Sequence, residues 1–146
     1  MKNIKALYIF ITALIILIFD QLTKIWAFSN LSEPMQIIPN FFKFQLTTNT
    51  GAGFGFLKGF NNIFIWIIII VVGLILYYYN DIPEKKYMWI SFGLILGGAL
   101  GNLIDRIRLG FVIDFLDLTF WPSFNIADSA ITIAAILIGV YIIYEK

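Results

Sequence analysis

The sequence predicts an all-α integral membrane protein with four transmembrane helices and a small β or extended platform on the outer surface. Three observations carry that prediction. Of 146 residues, 60% are hydrophobic and only 13% charged, against roughly 25% charged in an average soluble domain. Four uncharged runs, residues 6–19, 63–79, 87–104 and 129–144, divide the chain. The two longer connections between them are rich in β-forming residues.

A bilayer span needs about 20 mostly apolar residues, with about 17 the lower limit. The first run reaches that length only if its helix continues through Asp20, Gln21 and Lys24 to Trp26. Lys2 and Lys5 ahead of it resemble the basic start of a signal peptide. No small-residue cleavage site follows, however, and the run ends in DQLTK, which favours a retained first span over about 6–26. The second span, about 62–79, is entered through TTNTGAGFGF. That stretch lacks the Lys-Ser or Lys-Thr pair of a phosphate loop, so its glycines read as a tight turn that aims Asn49 inward. The third span, about 87–105, carries Gly97 and Gly101 at the spacing that lets two helices approach closely. The fourth, about 128–144, opens at Asp128.

In NFFKFQLTT, Phe42, Phe44 and Leu46 alternate with Lys43, Gln45 and Thr47, the period of a half-buried strand. FVIDFLDL, after a turn at Gly110, is the second extended segment. Together they make the platform.

The inventory excludes much chemistry. There is no cysteine and no histidine, so disulfides, thiolate metal sites, zinc hydrolase motifs and Ser-His-Asp or Cys-His arrangements are ruled out. No metal and no cofactor are expected, and nothing points to nucleic acid. When the spans alternate across a membrane, the polar residues fall at one face. Asp20 and Lys24 end span one, Asn49 precedes span two, Asn102, Asp105 and Arg106 end span three, and Asn125 and Asp128 open span four. The seven tyrosines map to the opposite edge, as an interfacial belt does. Lys2, Lys5, Lys85, Lys86 and Lys146 lie in short segments on the tyrosine side, which places both termini in the cytoplasm.

Among the polar residues, Asp20 and Lys24 share a helix face at i, i+4, as do Asn102 and Arg106. Asp105 is offset from that pair and reads as structural, with Arg108 as its partner at i+3. Asp117 reads as a solvated loop carboxylate. Asp114, in the extended outer segment, can fold back to Asp128 at the membrane boundary. Two carboxylates held together share a proton, and one can then serve as base towards water while the other serves as acid. Asp128 has an ordinary alternative as the N-cap of span four. A proton-coupled carrier would need an ionisable residue deep in a span, and the inner halves carry none. A Ser/Lys peptidase would need a better-placed serine than Ser29 beside Lys24.

Taken together, FDQLTK (19–24), NTGAGFGF (49–56), GGALGNLIDRIRLGFVIDF (97–115) and FNIAD (124–128) resemble the lipoprotein signal peptidases, or signal peptidase II, in the family's order and over essentially the whole chain. The resemblance implies a single membrane-embedded peptidase domain spanning 1–146. It would be a bacterial aspartyl endopeptidase of the inner (cytoplasmic) membrane, with its site near the outer face. It would cut prolipoproteins immediately before the diacylglyceryl-modified cysteine. The family's catalytic aspartates fall on Asp114 and Asp128. Its substrate-positioning residues fall on Asp20, Lys24, Asn49, Asn102, Arg106 and Asn125. Diacylglyceryl-prolipoproteins and globomycin-like inhibitors are the implied partners; membrane lipid and a monomeric state are further expectations. One departure is Gly53, where the family usually has alanine.

Overall fold

The computed structural model describes residues 2–51 and 60–145. The loop read around Gly53 therefore lies outside the described residues. In chain order the elements are α1 (Lys2–Asn30), β1 (Met35–Ile38), β2 (Phe42–Asn49), α2 (Asn61–Tyr77), α3 (Lys86–Leu109), β3 (Val112–Leu118) and α4 (Ile126–Tyr144). Three of the described helices, α1, α3 and α4, are long and apolar enough to cross a membrane. The fourth expected span is the apolar helix α2, which at 17 residues falls just short of them.

Helix α3 is the centre of the bundle. Half of its span is buried (50%), against 17% for α1 and for α4. Its sequence explains why. A Cβ on Gly97 would lie 2.6 Å from the Ala13 carbonyl oxygen, and one on Gly101 would lie 2.5 Å from Asp20 Oδ2. Only glycine permits this approach of α3 to α1, so the expectation for the Gly97–Gly101 pair holds. The outward faces are apolar: Ile15, Leu22, Trp66 and Ile136 are each more than half exposed. Such faces suit hydrocarbon rather than water.

At one end of the bundle, Lys5 is buried, pairs with Glu84 at 2.8 Å and donates to the Ile82 carbonyl. Tyr8, Tyr79, Tyr87 and Tyr141 gather there around Ile9, Ile82, Met88 and Trp89. The other three tyrosines, Tyr77, Tyr78 and Tyr144, are exposed.

The platform occupies the other end as an antiparallel sheet of order β1-β2-β3. Phe44, Leu46 and Phe115 seat it on Ala27 and Leu31 at the end of α1. Both expected extended segments are strands. β1 was not legible, because Pro34 and Pro39 bracket it and all four of its residues are exposed. Asp117 is not a solvated loop residue either. It lies in β3, accepts a hydrogen bond from Ser123 Oγ at 2.8 Å and sits 3.9 Å from Lys43 Nζ.

Candidate active site

The site is assembled where α3, β3 and the start of α4 converge. Gly110 takes a left-handed conformation (φ 81°) after α3 and turns the chain into β3, delivering Asp114 to the bundle. Asp114 is 1% exposed. Its Oδ1 accepts from Asn125 Nδ2 at 2.7 Å, and its Oδ2 from Asn49 Nδ2 at 3.0 Å.

Asn49 reaches Asp114 through an irregularity in β2. Phe42 and Phe44 pair with Leu118 and Leu116, whereas Thr47 pairs with Asp114 and Asn49 with Val112. The extra residue in β2 is a bulge. It turns a face that begins with phenylalanines into one that ends with Thr47 and Asn49 beside Asp114.

Asp128 enters from α4, but it is not the N-cap. Asn125 caps the helix by accepting from the Asp128 amide at 2.9 Å, and Asp128 Oδ2 accepts from the Asn125 amide at 3.3 Å. This reciprocal capping box leaves Asp128 Oδ1 to accept from Asn102 Nδ2 at 2.8 Å. Asn125 thus bonds both carboxylates, one through its side chain and one through its backbone. Its Nδ2 also lies 3.2 Å from Asn102 Oδ1 and from the Ile113 carbonyl.

Behind the aspartates lies a second buried cluster. Lys24 is 2% exposed, and its Nζ meets Asp20 Oδ2 at 2.8 Å, Asp105 Oδ2 at 2.9 Å and Asn102 Oδ1 at 3.0 Å. Those three partners use all three ammonium protons. They also fix which way the Asn102 amide points: its oxygen faces Lys24, so its NH₂ faces Asp128. Asp20 Oδ1 accepts from the Ala127 amide at 2.9 Å, tying α1 to the start of α4. Asp105 Oδ2 accepts from the Ile113 amide at 3.2 Å, and Oδ1 from Gln21 Nε2 at 3.0 Å. The ion-pair partner of Asp105 is Lys24 rather than the expected Arg108. Gln21 is the participant that sequence reasoning missed; its only signal was an amide next to Asp20 in an apolar helix.

Among the described residues Arg106 has no carboxylate within ion-pair distance. Its Nη2 donates to the Gly51 carbonyl at 3.1 Å, and its guanidinium lies 5.1 Å from the Phe64 ring. It shares with Asn102 a groove of about 230 Å³ between α2, α3 and α4, walled by Phe64, Ile67, Ile68 and Ile131. A second groove, of about 400 Å³, opens beside Asp128 against Trp121, Phe124 and Ile133. Among the described residues, no three His, Cys, Asp or Glu side chains gather to hold a metal ion.

Burial pushes the Asp114 carboxyl up from 3.8 to about 7, and the neighbouring Asp128 charge adds to the shift. The hydrogen bonds from Asn49 and Asn125 and the charge of Lys24 oppose it.

Long helices with apolar outer faces around a buried polar site define the class of an integral membrane protein. The comparisons narrow the class. A family model described as signal peptidase (SPase) II matches residues 12–144. The lipoprotein signal peptidase of Halothermothrix orenii is 42% identical over 136 residues, covering 92% of this chain and 94% of that protein. That of Enterococcus faecalis is 37% identical over 152 residues, covering 100% and 93%. A solved bacterial membrane enzyme, determined by the in meso method at 1.9 Å resolution, superposes with a TM-score of 0.83 at 35% identity, covering 93% of this chain and 92% of that one. The chain belongs to the signal peptidase II family. It is a membrane protein and a peptidase of lipoprotein processing.

Proposed function

We propose that the chain is an aspartyl endopeptidase that cuts diacylglyceryl-modified prolipoproteins immediately before the lipidated cysteine, with Asp114 and Asp128 as its catalytic pair. The observation that carries this reading is Asn125, which bonds both carboxylates at once and holds them as a unit. Their environments differ in the way acid–base chemistry requires. Asp114, enclosed and 1% exposed, holds the shared proton. Asp128 lies in the first turn of α4, where the helix dipole favours negative charge, and it accepts two hydrogen bonds.

Asp128 takes a proton from a water as that water attacks the scissile carbonyl, and Asp114 donates its proton to the carbonyl oxygen. Collapse of the tetrahedral intermediate returns the hydroxyl proton to Asp114 while Asp128 protonates the leaving amine. No covalent intermediate forms. Asn49, Asn102 and Asn125 position the pair, Asp20 and Lys24 act through Asn102, and Arg106 lines the groove that receives the substrate's signal helix.

The cellular setting is a bacterial cytoplasmic membrane crossed four times, with α2 as the second span, both termini in the cytoplasm and the platform on the outer surface. At about 1.5 Å per residue, the 17 residues of α2 approach the hydrocarbon thickness. The single peptidase domain works as a monomer, and globomycin-like cyclic peptides block it.

The test is a gel-shift assay with purified protein and a diacylglyceryl-prolipoprotein. Wild type is expected to cleave just ahead of the lipidated cysteine. Asp114→Asn and Asp128→Asn are expected to remain folded and inactive. Full activity in either variant would overturn the assignment.

A further inference from the structure

A cleft of about 190 Å³ lies between the ends of α1 and α3, with Ile25, Phe28, Ser29, Arg108 and Leu109 among its walls. We propose that this cleft binds the headgroup of an anionic phospholipid in the leaflet at the platform end, with Arg108 holding the phosphodiester and Ser29 donating to it. The acyl chains would lie along α1.

The argument begins with what the cleft has left to offer. Lys24 and Asp105 reach it, but each is already saturated by its buried partners. Arg108 is exposed and has no carboxylate within ion-pair distance among the described residues. The expected partner, Asp105, turns instead into the bundle. Gln21 also lines the cleft, but its NH₂ is committed to Asp20, the Gly101 carbonyl and Asp105. The donors left for a ligand are a guanidinium fork and a hydroxyl, a set that suits an anion with several acceptor oxygens.

The surroundings select which anion. Ile25 and Phe28 are 59% and 58% exposed at the lip of the cleft. Ile18, Leu22, Ile25 and Ser29 follow one another at i, i+4, i+7 and i+11, so one face of α1 carries an exposed apolar stripe that ends at the Ser29 hydroxyl. A small hydrated anion has no use for that stripe. A molecule with a phosphodiester at one end and hydrocarbon at the other matches both parts, and one net negative charge matches the Arg108 guanidinium. This site is separate from the peptidase groove, which opens on the α2 and α4 sides of α3.

Native mass spectrometry of the whole protein released from detergent tests the proposal, with dioleoyl phosphatidylglycerol, dioleoylglycerol and inorganic phosphate as separate probes. Wild type is expected to retain phosphatidylglycerol, and Arg108→Gln to retain it roughly tenfold less, the loss of one charge-assisted contact. Dioleoylglycerol should bind both proteins weakly and equally. Phe28→Asp, at the apolar lip, should lower retention independently. In phospholipid-free detergent, Arg108→Gln should cleave prolipoprotein at the wild-type rate. Equal retention of phosphatidylglycerol by wild type and Arg108→Gln would overturn the proposal. So would inorganic phosphate binding as tightly as the lipid, which would make the cleft a small-anion site only.

Discussion

Asn125 carries two loads that a substitution can separate. Its side-chain oxygen caps α4, while its side-chain nitrogen bridges Asp114 and Asn102. Serine keeps a capping oxygen but has no second arm. Asn125→Ser is therefore expected to melt close to wild type while kcat falls at least about tenfold, the worth of one lost hydrogen bond to a reacting group. Asn125→Ala should lose both, with about 1 kcal/mol of stability gone with the cap. Thermal melts and single-turnover cleavage of the two variants distinguish the roles. Asp114 gives a pH prediction. Its carboxyl is raised from 3.8 to about 7 by burial and by Asp128, so the native state holds the proton more tightly than the unfolded chain. The associated stability is fully present below about pH 4 and is lost as pH rises through about 7. The melting temperature in detergent should fall between about pH 4 and 7 by this contribution, and Asp114→Asn should flatten that slope. An unchanged slope in the variant would show that Asp114 is not the titrating group.

Between elements, the closest fit is where α3 meets α1. A Cβ at Gly101 would sit 2.5 Å from Asp20 Oδ2, the oxygen that pairs with Lys24. The methyl of Gly101→Ala must push Asp20 away, loosening its hold on both Lys24 and the Ala127 amide. The expected cost is about 1–3 kcal/mol, as for other overpacked sites, together with reduced cleavage because Lys24 orients Asn102. Gly139 in α4 is the control, since nothing lies within 4 Å of a Cβ there. Gly139→Ala should be neutral or gain the roughly 0.5–1 kcal/mol that alanine gives a helix. Parallel melts decide the comparison. The contact of Gly97 and Gly101 with a neighbouring helix was legible from their spacing, because that spacing has a single packing meaning. The alternation that revealed β2 was legible for the same reason. The bulge that brings Asn49 to Asp114 was not, since an extra residue is defined only against the partner strand, and β3 lies more than sixty residues downstream. The choice of Lys24 over Arg108 by Asp105 was hidden likewise: an i+3 pairing is local and visible, whereas the ion pair between α1 and α3 follows from packing.

For the molecule as a whole, α1, α3 and α4 are bound to one another through buried polar groups as well as by packing. Lys24 joins α1 to α3, Asp20 joins α1 to α4, and Asn102 joins α3 to α4. Helix α2 has a looser attachment. It packs mainly on α3, its polar links to that helix among the described residues include the bond from Asn61 to the Arg106 carbonyl and the Arg106 guanidinium over the Phe64 ring, and only Ile75 of its residues is buried. Between it and α4 runs the groove that leads from Asn102 and Arg106 along Ile67, Ile68 and Ile131. If a signal helix is to lie among the spans with its scissile bond at Asp114 and Asp128, this is the wall that must yield to admit it. The chain contains no cysteine, so a thiol pair can be placed without background. The double variant Ile68→Cys, Ile131→Cys, joined by a bifunctional thiol reagent that spans the groove, is expected to lose at least about tenfold of its cleavage rate, more than 1.4 kcal/mol in barrier terms. Each single variant treated with the same reagent should stay near its untreated rate. The loss should appear mainly as weaker binding of full-length prolipoprotein, because the aspartates themselves are undisturbed. Full activity in the cross-linked double variant would mean that the substrate helix enters elsewhere, and the groove beside Asp128, against Trp121 and Phe124, would become the route to test.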